Sequence, residues 1–366
     1  MVEQTTQRLT IYDACRAAGG AHTSLAALIP ELLRAGHEVD VVVTCDAARE
    51  AIVRRLPRPD RARVAVDVMN TSLVDQTRGS GYMFRELLRM RWLLRRAERR
   101  GAPTIWLNNN GPQVNAAGSW AAGRLGVPLA QYVRGEFHGG ALASKLLGGS
   151  ELALTVGAVA KSCVAEASPN LAIAPVGEGL EVGDITRRAR DARGVFWAAS
   201  LVHWKGANLA LDAHARLGAH ASPMRLCYLP AAGTEDADSL PEPAPSGVTY
   251  HRDPCDLDAI RASCDVFVHT SLRPEPFGRS VLEAMAAGLC VVVPDDMSSE
   301  LVRHGETGLV YGARDVDALT EALRVATTDH ELAWALGEAA ARHSVELGAR
   351  AEAFAPVMAW LGRSQT

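Results

Sequence analysis

The chain has 366 residues, 48% hydrophobic and 22% charged, with a formal net charge of −4. That length suits two hydrophobic cores better than one, and the charge balance excludes bulk attraction to nucleic acid and gives no support to peripheral contact with an anionic membrane. The seven cysteines show no metal-ligand spacing, so no metal is expected, and with neither a leader-like N-terminus nor an eighteen-residue apolar run the expectation is a cytoplasmic protein.

In chain order, residues 10–14 (TIYDA) read as a strand, 17–23 (AAGGAHT) as a small-residue loop and 24–36 as a helix stopped by Gly36. Strands follow at 38–44 and 63–68, a long helix near 81–99, and strands at 103–108 and 128–133. The pattern weakens between 136 and 170 and resumes with a strand at 171–175. Strand and helix in repetition predict a parallel sheet covered by helices on both faces. A polar, glycine-bearing stretch at 177–194 marks a domain boundary. A second α/β series then runs through a strand at 195–200, a helix at 206–217 and a strand at 224–229. A surface loop extends to 247, before a strand at 248–250, a helix at 256–263 and a strand at 265–270. A helix at 278–287, a strand at 290–293, a short helix at 301–305 and a strand in TGLVYG come next, with helices over 315–345 and 350–361.

The most informative stretch is SLRPEPFGRSVLEAMAAGLCVVVPD, 271–295. A strand ends at Thr270, a loop with Pro274, Pro276 and Gly278 follows, and a helix starts near Gly278 and stops at Gly288. Parallel sheets bind ligands at the carboxyl ends of their strands, and helix N-termini there offer free N–H groups to phosphate. Gly278 removes a side chain where a ligand would approach, and Arg279 and Ser280 add a charge and a hydroxyl in the first turn. Ser280 and Glu283 share a helix face, where Glu283 can accept from ribose hydroxyls. Glu275, in the loop, is placed to accept from hydroxyls of a sugar.

These residues resemble the signature of retaining glycosyltransferase family 4, E-P-F-G-x-x-x-x-E-A-x-A-x-G, at Glu275, Pro276, Phe277, Gly278, Glu283, Ala284, Ala286 and Gly288. The resemblance implies the α/β GT-B fold: two Rossmann-like α/β/α domains facing across a deep cleft, with a C-terminal helix crossing back. It implies an acceptor domain over 1–177, a donor domain over 178–347 and a crossover helix in 348–366. Glu283 would bind the ribose, Glu275 the transferred sugar, and the backbone at Phe277 to Arg279 the sugar and phosphates. In SLVHWKG, 200–206, Lys205 matches a lysine that neutralises the donor diphosphate. The family's arginine there is Ser200 in this chain, a departure for which His203 or Arg279 offers compensation. His251 and Arg252 border the expected place of the base. Asp296 to Ser298 stand where many relatives have paired glycines, while Glu300, Gly305 and Gly308 match.

In the first domain, Gly19 and Gly20 match a glycine pair that admits phosphates and sugar, with His22 and Thr23 close by. YVRGEFHGGALASK, 132–145, resembles polysaccharide-type or natural-product-type members at Arg134, Gly135, Glu136, Phe137, Ala141, Leu142 and Lys145. Arg134 is the cleft candidate and His138 a weaker one. NNNGPQVN, 108–115, carries amides suited to a hydroxyl-rich acceptor. The arginines of the long helix, Arg85, Arg89, Arg91, Arg95, Arg96, Arg99 and the following Arg100, read as a solvated face.

The implied activity is metal-independent hexosyl transfer with retention. The donor would be a UDP-sugar, with GDP- or another nucleotide sugar as the alternative and no separate cofactor. The acceptor would be a saccharide, a natural product or a glycan intermediate. A nonhydrolysing nucleotide-sugar epimerase and a nucleotide-sugar-binding protein without transferase activity remain open.

Overall fold

The strand–helix alternation closes into two parallel sheets. The computed structural model describes residues 6–15, 19–69, 81–137, 139–180, 185–231, 237–253, 255–275, 277–297, 301–347 and 350–363. It forms two compact units, Met1–Gly179 with Arg350–Thr366, and Leu180–Ala349.

The first unit runs β1 (Arg8–Asp13), α1 (Gly20–Arg34), β2 (Glu38–Val43), α2 (Asp46–Arg55), α3 (Arg58–Arg61), β3 (Ala65–Val68) and α4 (Gly81–Arg100). It continues through β4 (Ile105–Asn109), α5 (Ala116–Leu125), β5 (Leu129–Val133), α6 (Ala141–Gly148), β6 (Leu152–Thr155), α7 (Gly157–Ala167) and β7 (Ala172–Pro175). The sheet order is β3-β2-β1-β4-β5-β6-β7, with every pairing parallel. The order reverses between β1 and β4.

The second unit runs β8 (Val195–Ser200), α8 (Ala207–Arg216), β9 (Met224–Leu229), β10 (Val248–Arg252), α9 (Leu257–Ala262) and β11 (Val266–Val268). It ends with α10 (Arg279–Ala287), β12 (Cys290–Pro294), β13 (Leu309–Tyr311), α11 (Val316–Thr328) and α12 (His330–Leu347). Its order, β10-β9-β8-β11-β12-β13, is also parallel throughout and reverses between β8 and β11. Successive strand residues face opposite sides of a sheet, which sorts this unit into two cores. Val195, Trp197, Val266, Val268 and Val292 pack with α8 and α11 on one side. Phe196, Phe267, Val291 and Val293 pack with α10 and Ala340 of α12 on the other. The last helix, α13 (Arg350–Arg363), belongs to the first unit, where it touches α1 and β6.

Four sequence expectations change. The glycine pair does not lie in a loop before the helix: Gly19 caps α1 and Gly20 opens it. The weak stretch 136–170 contains α6, β6 and α7, and α2, α3 and α5 also went unread. Ala- and Gly-rich helices such as AAGSWAAGRL carry little hydrophobic periodicity to read. Residues 301–305 form no helix; His304 bridges Gly308 instead. Finally, the arginines of α4 are not all solvated. Arg89 and Arg96 are buried with Glu86, Arg89 donating to Glu86 at 2.8 Å and Arg96 to Asp67 at 2.7 Å. The outer face carries Phe84, Leu87 and Leu88 as well as arginine. Among the described residues no helix is long and apolar enough to cross a membrane.

Candidate active site

Ligands of open parallel sheets bind beyond the strand ends where the order reverses. In the second unit these are the ends of β8 and β11, and their loops are clasped together. Gly206, at φ +70, lies so close to Thr270 that a Cβ would strike its carbonyl. Thr270 Oγ1 sits 2.8 Å from the Gly206 carbonyl and 3.1 Å from that of Lys205, sharing its proton between them. It accepts in turn from Trp197 Nε1 at 2.9 Å.

The clasp sets the Lys205 ammonium directly against the Glu275 carboxylate. Lys205 also lies 4.3 Å from the centre of the Trp204 ring, a favourable site for a cation. Ser271 Oγ donates to Glu275 Oε1 at 2.7 Å. His269 Nε2 stands 3.8 Å from the same oxygen, within reach of charge but beyond a hydrogen bond. The Lys205 side chain is 19% exposed and that of Glu275 10%. Burial alone would raise the Glu275 pKa, but the adjacent ammonium and the hydrogen bonds overcome it and bring the carboxyl down to about 2. Burial pushes the His269 imidazole down to about 4 against the pull of Glu275. At neutral pH, therefore, the cluster is an ammonium–carboxylate pair beside an uncharged imidazole.

The loop leads into α10, which begins after Gly278 at φ +83 and ends at Gly288 at φ +81. A Cβ on Gly278 would strike Met297. Val281, Leu282, Ala284 and Met285 are buried, leaving Arg279, Ser280 and Glu283 only partly so. Arg279 Nε donates to Glu283 Oε1 at 2.9 Å. Arg261 Nη1, on α9, lies 3.7 Å from Glu283 Oε2 with its side chain 2% exposed. Phe277 packs against the adjacent core. Ser200 is half-buried at the end of β8, its carbonyl accepting from Val202 N–H at 2.9 Å. His251 and Arg252 end the edge strand β10, with β9 between them and β8, so the fold does not bring them into this cluster. Asp296 pairs with Arg314 at 2.7 Å. Pro276, Ser298 and Glu300 lie outside the described residues.

In the first unit the reversal between β1 and β4 is also polar. Asp13, fully buried, accepts from Asn109 Nδ2 at 2.6 Å, Asn110 Nδ2 at 2.9 Å and the Cys15 N–H at 2.9 Å. His22 Nε2 stands 3.3 Å from Asp13 Oδ2, and its Nδ1 accepts from the Gly19 N–H at 3.2 Å, which assigns the proton to Nε2. Burial lowers the His22 pKa despite Asp13. Arg134 Nε donates to Asn109 Oδ1 at 2.7 Å, Nη1 lies 3.5 Å from Glu178 Oε2, and the guanidinium stacks 3.8 Å from the Tyr132 ring centre. Ser24 donates to Glu178. Among the described residues nothing fills the space a side chain at Gly19 would take. Asn108 and Asn109 are fully buried and serve this internal network rather than a ligand, with Asn108 Nδ2 donating to Ser119 at 2.9 Å. Glu136 and Lys145 are exposed, and His138 is outside the described residues.

Sequence reasoning passed over Asp13, Glu178, Arg261, His269, Thr270 and Ser271. The available signal was positional: Asp13, His269, Thr270 and Ser271 lie at or just beyond strand ends beside each sheet's reversal.

Two family models match the chain. "Glycosyl transferases group 1" covers residues 186–343 and "Glycosyl transferase 4-like domain" residues 19–162; together they take in well over half of it. A curated relative, the lipopolysaccharide core biosynthesis mannosyltransferase LpcC of Rhizobium leguminosarum bv. viciae, is 47% identical over 72 residues, which are 19% of this chain and 20% of that protein. Among solved structures, Anabaena HepE in complex with UDP and glucose superposes with a TM-score of 0.75 at 17% identity, over 98% of this chain and all of that one. A glycosyltransferase from Rickettsia africae ESF-5 gives a TM-score of 0.72 at 13% identity, over 99% of each chain. At such identities the superpositions speak for the fold, while the family models join that fold to the glutamate motif and Lys205. The chain belongs to the GT-B glycosyltransferases, of the group 1 and family 4-like type.

Proposed function

We propose that this glycosyltransferase moves a hexosyl group from a UDP-linked donor to a hydroxyl of a saccharide, natural-product or glycan-intermediate acceptor, with retention at the anomeric carbon. The observation that carries the reading is the Lys205–Glu275 pair at the β8/β11 reversal, with Glu275 eight residues ahead of Glu283 on α10. HepE, solved with UDP and glucose, supports UDP; LpcC, a mannosyltransferase, keeps mannose beside glucose as the hexose. The second unit takes the donor and the first the acceptor. We place the reaction in the cytoplasm, in keeping with seven cysteines that form no disulfide.

Each group then has a task. The first-turn N–H groups of α10 and the Lys205 ammonium stabilise charge growing on the departing diphosphate. Glu275, ionised at every working pH, accepts from sugar hydroxyls and stabilises an oxocarbenium-like centre, and Glu283 accepts from ribose hydroxyls. Arg134, Gly19 and Gly20, in the first unit, serve the acceptor. The bond from the anomeric carbon to the β-phosphate oxygen breaks. The acceptor oxygen bonds to that carbon on the same face, and its proton passes to the departing phosphate oxygen, so no enzymic nucleophile is needed.

The test is release of nucleoside diphosphate from UDP-, GDP-, ADP- and dTDP-hexoses, with and without pooled acceptors, by the wild type and Glu275→Ala. One donor should release its nucleotide, faster with acceptor, and the variant should lose about 100- to 1,000-fold in rate. An isomerised donor without acceptor-dependent release would point to an epimerase. Thermal protection by a nucleotide sugar with no release from any donor would leave a binding protein.

A further inference from the structure

The two motif glutamates share one feature: each is held by a cation from the donor side of the sheet. Lys205 holds Glu275 and Arg279 holds Glu283 at 2.9 Å. The second pairing is unfavourable as helix design. Arg279 is the first residue of α10, whose first turn carries no acidic residue. The helix dipole disfavours a cation there by about 0.3–1 kcal/mol, and a basic residue four positions before an acidic one is the weaker order for a helical pair. An anion in front of α10 would turn this arrangement from adverse to favourable. Glu283 has a second partner of another kind, the buried Arg261, anchored on α9 and paired also with Asp258.

We infer that Arg279 is a diphosphate-binding residue that works by exchange, supplying the second cation that Ser200 does not. When the donor binds, Arg279 leaves Glu283 for the diphosphate, and the carboxylate it releases accepts from the ribose hydroxyls. Arg261 stays and holds Glu283 in place. Side-chain rotation alone accomplishes the exchange, because both partners sit on one face of the same helix. Phosphate and ribose recognition are thereby coupled: a nucleoside without phosphates must displace Arg279 with nothing to offer it, whereas the diphosphate draws Arg279 away.

This rests on the donor reading above, and the two can fail separately. The affinities of uridine and UDP are measured by calorimetry on the full chain, for the wild type, Arg279→Gln and Arg279→Lys; guanosine and GDP replace them if the donor panel selects GDP. In Arg279→Gln the UDP affinity should fall about tenfold or more, the worth of a charge-assisted hydrogen bond, while uridine binds as well as or better than before. Arg279→Lys should recover most of the loss. Equal weakening of uridine and UDP, or UDP affinity unchanged, would overturn the exchange and leave Arg279 a structural partner of Glu283. A wild type that binds no nucleoside diphosphate at all would overturn the donor reading itself.

Discussion

The two sheets run in the same order up to the extra strand β7, yet their reversal points handle buried charge in opposite ways. Asp13 in the first unit is fully buried and satisfied by two amide side chains and a backbone N–H, all neutral. Glu275 in the second is matched by an ammonium that retains 19% exposure. Neutral donors at and just beyond the strand ends hold a carboxylate in place and have little to exchange with a ligand. An ammonium on a short loop can swing to an incoming phosphate and release the carboxylate it held. Like topology therefore produces a fixed polar core in one unit and an exchangeable pair in the other.

Removing each carboxylate should separate these roles by the largest margin. Asp13→Ala leaves the buried Asn109 amide and the part-buried Asn110 amide and Cys15 N–H without their acceptor and should cost about 3 kcal/mol in urea unfolding. Glu275→Ala leaves a partly exposed Lys205 that can turn to water and should cost less than Asp13→Ala while abolishing most transfer. Similar stabilities for the two variants would break the distinction.

This contrast was half legible in the sequence. The second unit's glutamates, Lys205 and Gly278 sit within short segments whose spacing carries their meaning, and α10 follows from Gly278 and Gly288 with an apolar face between. Asp13 looked like the end of a strand, because its amide partners lie 96 and 97 positions away. Thr270 meets Trp197 across 73 positions, and Ser24 meets Glu178 across 154. No local pattern encodes such pairs; they exist only once the sheet order is set. The expected helix at 301–305 shows the converse. Its residues have helical propensity, but His304 is engaged by Gly308 and its Nδ1 accepts from the Val310 N–H at 3.0 Å, so tertiary contacts override the local preference.

Acid should sharpen the comparison next. The His269 pKa falls from 6.5 to about 4 on folding, so between those values the unfolded chain holds a proton that the native site refuses. Stability from this group is complete above pH 6.5 and drains as pH falls to about 4, by about 3 kcal/mol in all. Glu275, depressed from 4.5 to about 2, contributes its own loss only below pH 4.5. Unfolding of the wild type and His269→Gln from pH 7 to 4 should therefore give a shallower slope in the variant. His22, also lowered by burial, adds a slope common to both proteins, so the difference belongs to His269. Parallel curves would mean that the imidazole is not kept neutral.

The smallest effect concerns the clasp that makes the Lys205 pair possible. Thr270→Val keeps the volume and removes the hydroxyl, leaving Trp197 Nε1–H and the carbonyls of Lys205 and Gly206 without their shared partner. The buried donor alone predicts a loss of about 1–2 kcal/mol. A clasp that merely stabilises the fold would stop there. If it also sets the ammonium, kcat should fall severalfold while acceptor KM holds, since Lys205 acts on charge that develops in the transition state. Thr270→Ser restores a hydroxyl at the same Cβ and should recover most of the rate even where the lost methyl group leaves the fold slightly weaker. Rate following the hydroxyl and stability following the methyl would separate positioning from packing, and a rate that simply tracks stability across the three proteins would remove Thr270 from the mechanism.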